Sequence, residues 1–316
     1  MTSAAEPAPA TTRDASPSAG TVSAPYGCLD IGSNTTRLLV ARVEDGRLRE
    51  LMTQRSYTRL GKALRSRQIP AEKIAEETEI VATQVRHARE LGVERIAIVA
   101  TAAIRRAENR DELIRSIEEA TGIAPRVLTD EEEARLAFVG ASRTLSAPLG
   151  GALAVVDVGG GSAEIAVGTL EAGVSWSASF AIGSGFLADA YLHSDPPSVR
   201  ELHAVREHAI GCFEGLRTPP VERAVASGGS ATALRRLAGA ELSHEALERA
   251  IRVLATAPAA EVAERFELDV ERVRLLPAGV LILEAIADSL GQPLKIGNGG
   301  LREGCVLELA SEEARS

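Results

Sequence analysis

Aromatic side chains make up only 3% of this 316-residue sequence, so it has few platforms on which to stack the bases of single-stranded nucleic acid. Cysteine is rarer still. Cys28, Cys212 and Cys305 are odd in number and far apart, which fits neither a disulfide framework nor a zinc-ligand pattern and is simplest in a reducing cytosol. Lysine is almost missing, since all but three of the 35 basic residues are arginine. A guanidinium pairs well with phosphate oxygens, although so general a bias equally reflects genome composition. No apolar run approaches the roughly 20 residues of a membrane span. Residues 1–24 are rich in Ala, Pro, Ser and Thr and lack an apolar segment, so a disordered tail is expected rather than a signal peptide. A net charge of −9 counts against non-specific binding to nucleic acid or anionic membrane.

What is present is an aliphatic α/β pattern, 45% hydrophobic and long enough for two domains. Apolar runs at 26–31 and 37–43 flank Gly32-Ser33-Asn34, so this glycine turn joins two strands of a hairpin instead of opening a helix, as it would in a dinucleotide site or a P-loop. A second copy runs from Ala152 to Val167 around Gly159-Gly160-Gly161-Ser162. Helices are expected near 70–91, 110–121 and 131–145, with strands at 95–100 and 125–128. Asn109 with Glu112 resembles a capping pair. The stretch 146–151 breaks the periodicity, dividing the chain into lobes 25–147 and 148–316, with a final helix near 301–311 free to pack back on the first lobe. The repeated strand-strand-strand-helix order points to a duplicated α/β domain with a site in the cleft.

In each copy an aspartate stands just before the turn: Asp30 ahead of Gly32, Ser33, Asn34 and Thr35, and Asp157 ahead of Gly159, Gly160, Gly161 and Ser162. Backbone N–H groups of such turns surround phosphate, and the aspartates face one another across the cleft, where one magnesium ion would reduce repulsion. An aspartate before glycine is ordinarily a mere turn former, but two such turns, with a third at Gly228-Gly229-Ser230, favour phosphate binding. Glu164, on the outgoing strand, is either a metal ligand alongside Asp157 or a solvated carboxylate. Asp130-Glu131-Glu132-Glu133 ordinarily serves a helix dipole, yet one of the four could act as general base on water. Arg105, after the strand at 95–100, is a candidate phosphate clamp, and Arg59, Lys62, Arg65 and Arg67 form a loose basic run. There is no P-loop sequence, Glu164 stands where a dinucleotide fingerprint needs its third glycine, and the five histidines lack metal-ligand partners.

The segments 29–35, 100–105, 132–136, 157–164 and 300–304 together resemble the exopolyphosphatase/guanosine pentaphosphate phosphatase family, in family order across about residues 26–310. The resemblance implies two ribonuclease-H-like lobes of the actin-like type, an interlobe active site, and magnesium-dependent hydrolysis of a terminal phosphoanhydride. It puts the catalytic base at Glu133, with Glu132 the adjacent alternative. It assigns metal and phosphate chemistry to Asp157 and Glu164, and matches Arg105 to a family arginine. As it stands to Ser316, the chain lacks the additional helical domains, one of HD type, of longer members, so reduced processivity on very long chains is implied. The leading expectation is a cytoplasmic exopolyphosphatase with a homodimer open to it. Guanosine pentaphosphate hydrolysis within the stringent response is the second reading, and a non-catalytic sensor or a phosphotransferase are readings of other classes.

Overall fold

The computed structural model describes residues 23–63, 67–145 and 150–315. The expected tail up to residue 22, Arg65, and residues 146–149 of the expected interlobe break lie outside the described residues. The first half runs β1 (Tyr26–Ile31), β2 (Thr35–Glu44), β3 (Arg47–Tyr57), α1 (Leu60–Ala63), α2 (Ala71–Glu90), β4 (Arg95–Ala100), α3 (Ala102–Arg106), α4 (Arg110–Thr121), β5 (Arg126–Val127) and α5 (Asp130–Arg143). The second runs β6 (Leu153–Val158), β7 (Ala163–Thr169), β8 (Gly173–Phe180), α6 (Ser184–Tyr191), α7 (Val199–Phe213), β9 (Arg223–Ser227), α8 (Gly228–Ala238) and β10 (Glu241–Leu242). It ends with α9 (His244–Thr256), α10 (Ala259–Phe266), α11 (Val270–Leu290), β11 (Leu294–Ile296) and α12 (Leu301–Glu313).

Two sheets carry one topology. The first has the order β3-β2-β1-β4-β5, and the second β10-β11-β9-β6-β7-β8; without its edge strand β10, the second order reproduces the first. In both, an antiparallel three-strand meander pairs through its first strand with a parallel strand, β1 with β4 and β6 with β9. This is the ribonuclease-H-like arrangement, duplicated as in actin-like proteins. Ligands in such sheets gather at the carboxyl ends of the parallel strands, which here are the ends of β1, β4, β6 and β9.

The pleat sends alternate side chains of β1 to opposite faces. Leu29 and Ile31 join Val81, Val85 and Ile117 under α2 and α4, while Cys28 joins Leu39, Val99 and Val306 under α12. The C-terminal helix therefore closes the inner face of the first sheet. Conversely α5, from the first half, closes the inner face of the second sheet with Ala134, Phe138 and Ala141 against Leu153, Val155 and Val225. These two helices cross in close contact. A Cβ on Gly140 would collide with the Gly300 carbonyl, and one on Gly304 with the Leu136 carbonyl, so only glycine lets the backbones approach. Cys28 and Cys305 are neighbouring free thiols in the inner cluster, where burial pushes the Cys28 thiol well up. Among the described residues no helix is long and apolar enough to cross a membrane.

One local expectation is corrected. Asn109 makes no side-chain cap on α4; its amide pairs with the Ile69 backbone instead, accepting from N at 2.8 Å and donating to O at 3.0 Å. Two hydrogen bonds to a neighbouring segment outcompete one to the helix N-terminus. The reciprocal capping box stands at α5: Glu132 N donates to Thr129 Oγ1 at 3.2 Å and Thr129 N to Glu132 Oε2 at 2.9 Å.

Candidate active site

The two expected glycine loops close in the same way. Gly32 N donates to Thr35 O at 3.1 Å, and Gly159 N donates to Ser162 O at 3.0 Å. They meet across the interlobe cleft, where a Cβ on Gly160 would touch Asn34 and one on Gly161 would collide with the Ser33 hydroxyl. Bare backbone is thus required on the second loop. Its carbonyls are tied down by the start of α6, Ser184 N to Gly159 O at 2.9 Å and Phe186 N to Gly160 O at 3.0 Å. Ser33 and Asn34 are half-buried at the cleft, and Thr35 is buried.

Behind the loops the repeat carries opposite charge. In the first hairpin Asp30 pairs in register with Arg37; in the second Asp157 pairs with Glu164. Both aspartates are in the interior between the lobes. Burial raises the Asp30 carboxyl against the pull of Arg302 and Arg37, and burial, then the charge of Asp30, pushes Asp157 up to about 6. Arg37 is lowered to about 9 by burial and by Arg302 and Arg55, with Arg272 a further cationic neighbour. Four guanidinium groups therefore cluster behind the glycine loops. Sequence reasoning missed them, although one signal was available: Arg37 and Glu164 each lie seven residues after the loop aspartate.

The third constellation lies at the start of α5, whose capping box assigns its carboxylates. Glu132 is committed to the cap and to Arg126 at 3.3 Å, and Glu131 is exposed. Glu133, one residue on, points into the protein at 6% exposure. Arg105 of α3 holds it, donating through Nη1 to Glu133 Oε2 at 2.6 Å and to Leu128 O at 2.7 Å, and through Nη2 to Asp130. From the other lobe Glu164 reaches the same place, accepting from Ser179 Oγ at 3.0 Å. Burial, then Glu164, pushes Glu133 up to about 9 despite Arg105; burial, then Asp157, pushes Glu164 up to about 7.

Asp130, Glu133 and Glu164 bring carboxylate oxygens within 4.8 Å of one another. Such hard oxygen donors fit a divalent cation of the magnesium type. Asp157, also expected as a ligand, stands outside this group beside Asp30 and Ser227. Ser162 is buried and its hydroxyl serves Glu164.

The remaining expected residues fall into place differently. Gly228, at φ +85°, leaves room for Asp157, and Gly229 for the Arg272 guanidinium. Ser230 is fully buried against Gly279, so its hydroxyl is not offered to a ligand in the cleft. Of the basic run, Arg59 pairs with Glu271 and Lys62 with Asp189 at 3.9 Å, both across the lobes, and Arg67 with Glu108 at 3.5 Å.

Known proteins share this fold. The crystal structure of an Aquifex aeolicus member of the Ppx/GppA family superposes with a TM-score of 0.78 at 27% identity, covering 93% of this chain and 99% of that one. An exopolyphosphatase-like protein superposes with a TM-score of 0.78 at 25% identity, covering 92% and 99%. An exopolyphosphatase from Cytophaga hutchinsonii reaches 0.80 at 19% identity, covering 91% and 98%, a likeness of fold. The sequence profile of the Ppx/GppA phosphatase family matches residues 39–313, nearly the whole of both lobes, and the chain belongs to that family.

Proposed function

We propose that this chain is an exopolyphosphatase that hydrolyses the terminal phosphoanhydride of inorganic polyphosphate, with Glu133 as general base. The observation that carries the reading is the buried Glu133 carboxylate, fixed by Arg105 and facing Glu164 beside two glycine loops from opposite lobes. Glu133 takes a proton from a water that attacks the terminal phosphorus; the P–O–P bridge breaks, releasing orthophosphate and a chain shortened by one phosphate. The loops at Gly32–Thr35 and Gly159–Ser162 offer N–H groups to phosphate oxygens, and Arg37 and Arg272 add positive charge behind them. A magnesium ion held by Asp130, Glu133 and Glu164 would supply positive charge that favours the ionised forms of Glu133 and Glu164 and stabilises the departing phosphate. Arg105 orients Glu133 through the hydrogen bonds it makes to Leu128, Asp130 and Glu133.

The test is orthophosphate release with magnesium from medium-length polyphosphate and, separately, from guanosine pentaphosphate. Glu133→Gln should lower turnover by at least about 100-fold, the usual worth of a positioned base, while leaving substrate binding intact. Full turnover in that variant would defeat the assignment. Preferential release from the nucleotide would move the chain to the second substrate. Nucleotide-induced thermal stabilisation without any release would make it a sensor, and ATP formed from ADP and polyphosphate would make it a phosphotransferase.

A further inference from the structure

Beneath the first glycine loop lies a buried carboxylate that the proposed chemistry does not use. Glu77 is 1% exposed on the face of α2 that also carries Val81, Val85 and Ala88. A leucine there would complete an apolar stripe, whereas a buried carboxylate costs desolvation. Its Oε1 accepts from the hydroxyl of Thr36, the residue of β2 that follows the loop. Its Oε2 is buried beside the Thr58 hydroxyl, a neighbour that favours its ionised form as Thr36 does. One turn earlier on α2, Lys73 Nζ donates to Thr58 O at 3.1 Å.

Thr58 is in turn bound to the loop. Thr58 N and Arg59 N both donate to Asn34 O at 3.1 Å, and Gly61 N donates to Ser33 O at 2.7 Å. α2 therefore grips both the strand leaving the loop and the segment that wraps it. The duplicated hairpin supplies a control within the molecule. At the position of Thr36 it carries Ala163, packed in an apolar cluster, and its loop closes with the equivalent hydrogen bond, Gly159 N to Ser162 O. Closing the turn does not require the anchor.

We infer that Glu77 is a positioning residue, fixing the Ser33–Thr35 loop against α2 so that it meets the phosphate in one orientation. The inference rests on the phosphohydrolase reading above for its kinetic test. Glu77→Leu removes the anchor, Glu77→Gln keeps an acceptor for Thr36, and Thr36→Val removes the same bond at nearly constant volume. Loss of one net hydrogen bond should raise KM for polyphosphate about three- to tenfold in Glu77→Leu and in Thr36→Val, with kcat within about twofold because the base and its partners lie on other elements. Glu77→Gln should keep KM within about twofold of wild type, and the double variant Glu77→Leu/Thr36→Val should be no worse than either single one. A wild-type KM in Thr36→Val, or a folded Glu77→Gln as impaired as Glu77→Leu, would overturn the role. Should Glu77→Leu fail to fold, Thr36→Val with Glu77→Gln carries the comparison. If the wild type releases phosphate from neither substrate, the hydrolase reading fails by itself, and the anchor is then read from calorimetric binding of tripolyphosphate. Weaker binding by Thr36→Val supports it, and equal binding overturns it.

Discussion

At the residue scale, Glu133, Glu164 and Asp157 are raised to about 9, 7 and 6 from ordinary values of 4.5, 4.5 and 3.8, burial being the first cause each time. The sign of the linkage is that of carboxyls protonated in the fold and ionised in the unfolded chain. Their contribution to stability is full below the ordinary values and is lost as pH rises through about 6, 7 and 9. Thermal scans of metal-free protein should therefore show Tm falling between those ordinary values and about pH 9, with the last part of the fall absent in Glu133→Gln. Added magnesium should raise Tm most at the alkaline end, where the carboxylates are ionised. A flat Tm across this range would mean that the three groups are not crowded as described. Of Glu132 and Glu133, both open in the sequence, the capping box uses the first and leaves the second to point inward, which is why Glu133 is the one proposed as base.

At the element scale that capping box is open to a direct test. Thr129→Ala should cost about 1 kcal/mol, the common worth of an N-cap, in denaturant unfolding, and should free Glu132. Elements with a clear period were legible in the sequence: β4 and α4 have the expected bounds, and both glycine hairpins lie between β-branched runs as read. β3 and α3 are among the elements that were not legible. β3 is an edge strand with many exposed polar residues, so no run of apolar residues marks its eleven positions. α3 is a single helical turn after β4, which read as a strand end, so the neighbourhood of Arg105 was legible but its bond to Glu133 was not. Arg105 meets Glu133 through tertiary packing over 28 positions of sequence. No local pattern encodes that meeting.

At the scale of the molecule, each lobe lends a helix to the other: α5 covers the second sheet and α12 the first. The seating of α12 agrees with the sequence expectation, whereas the crossing of α5 is invisible to periodicity, because an amphipathic helix does not specify which sheet it will cover. The exchange also makes the glycines at the crossing sensitive. Gly304→Val should clash with the Leu136 backbone and cost several kcal/mol, beyond the roughly 1–3 of ordinary overpacking because backbone cannot swing aside. Differential scanning calorimetry would measure it, and a Tm equal to wild type would show that the helices can separate without penalty. The neighbouring thiols of Cys28 and Cys305 give this exchange a chemical clock. Both are less than 3% exposed while α12 is seated, whereas Cys212 is only half-buried. Alkylation should therefore mark Cys212 first and reach the other two at the rate at which α12 lifts off its borrowed sheet, so that mass spectrometry of a single labelling series times a motion shared by both lobes.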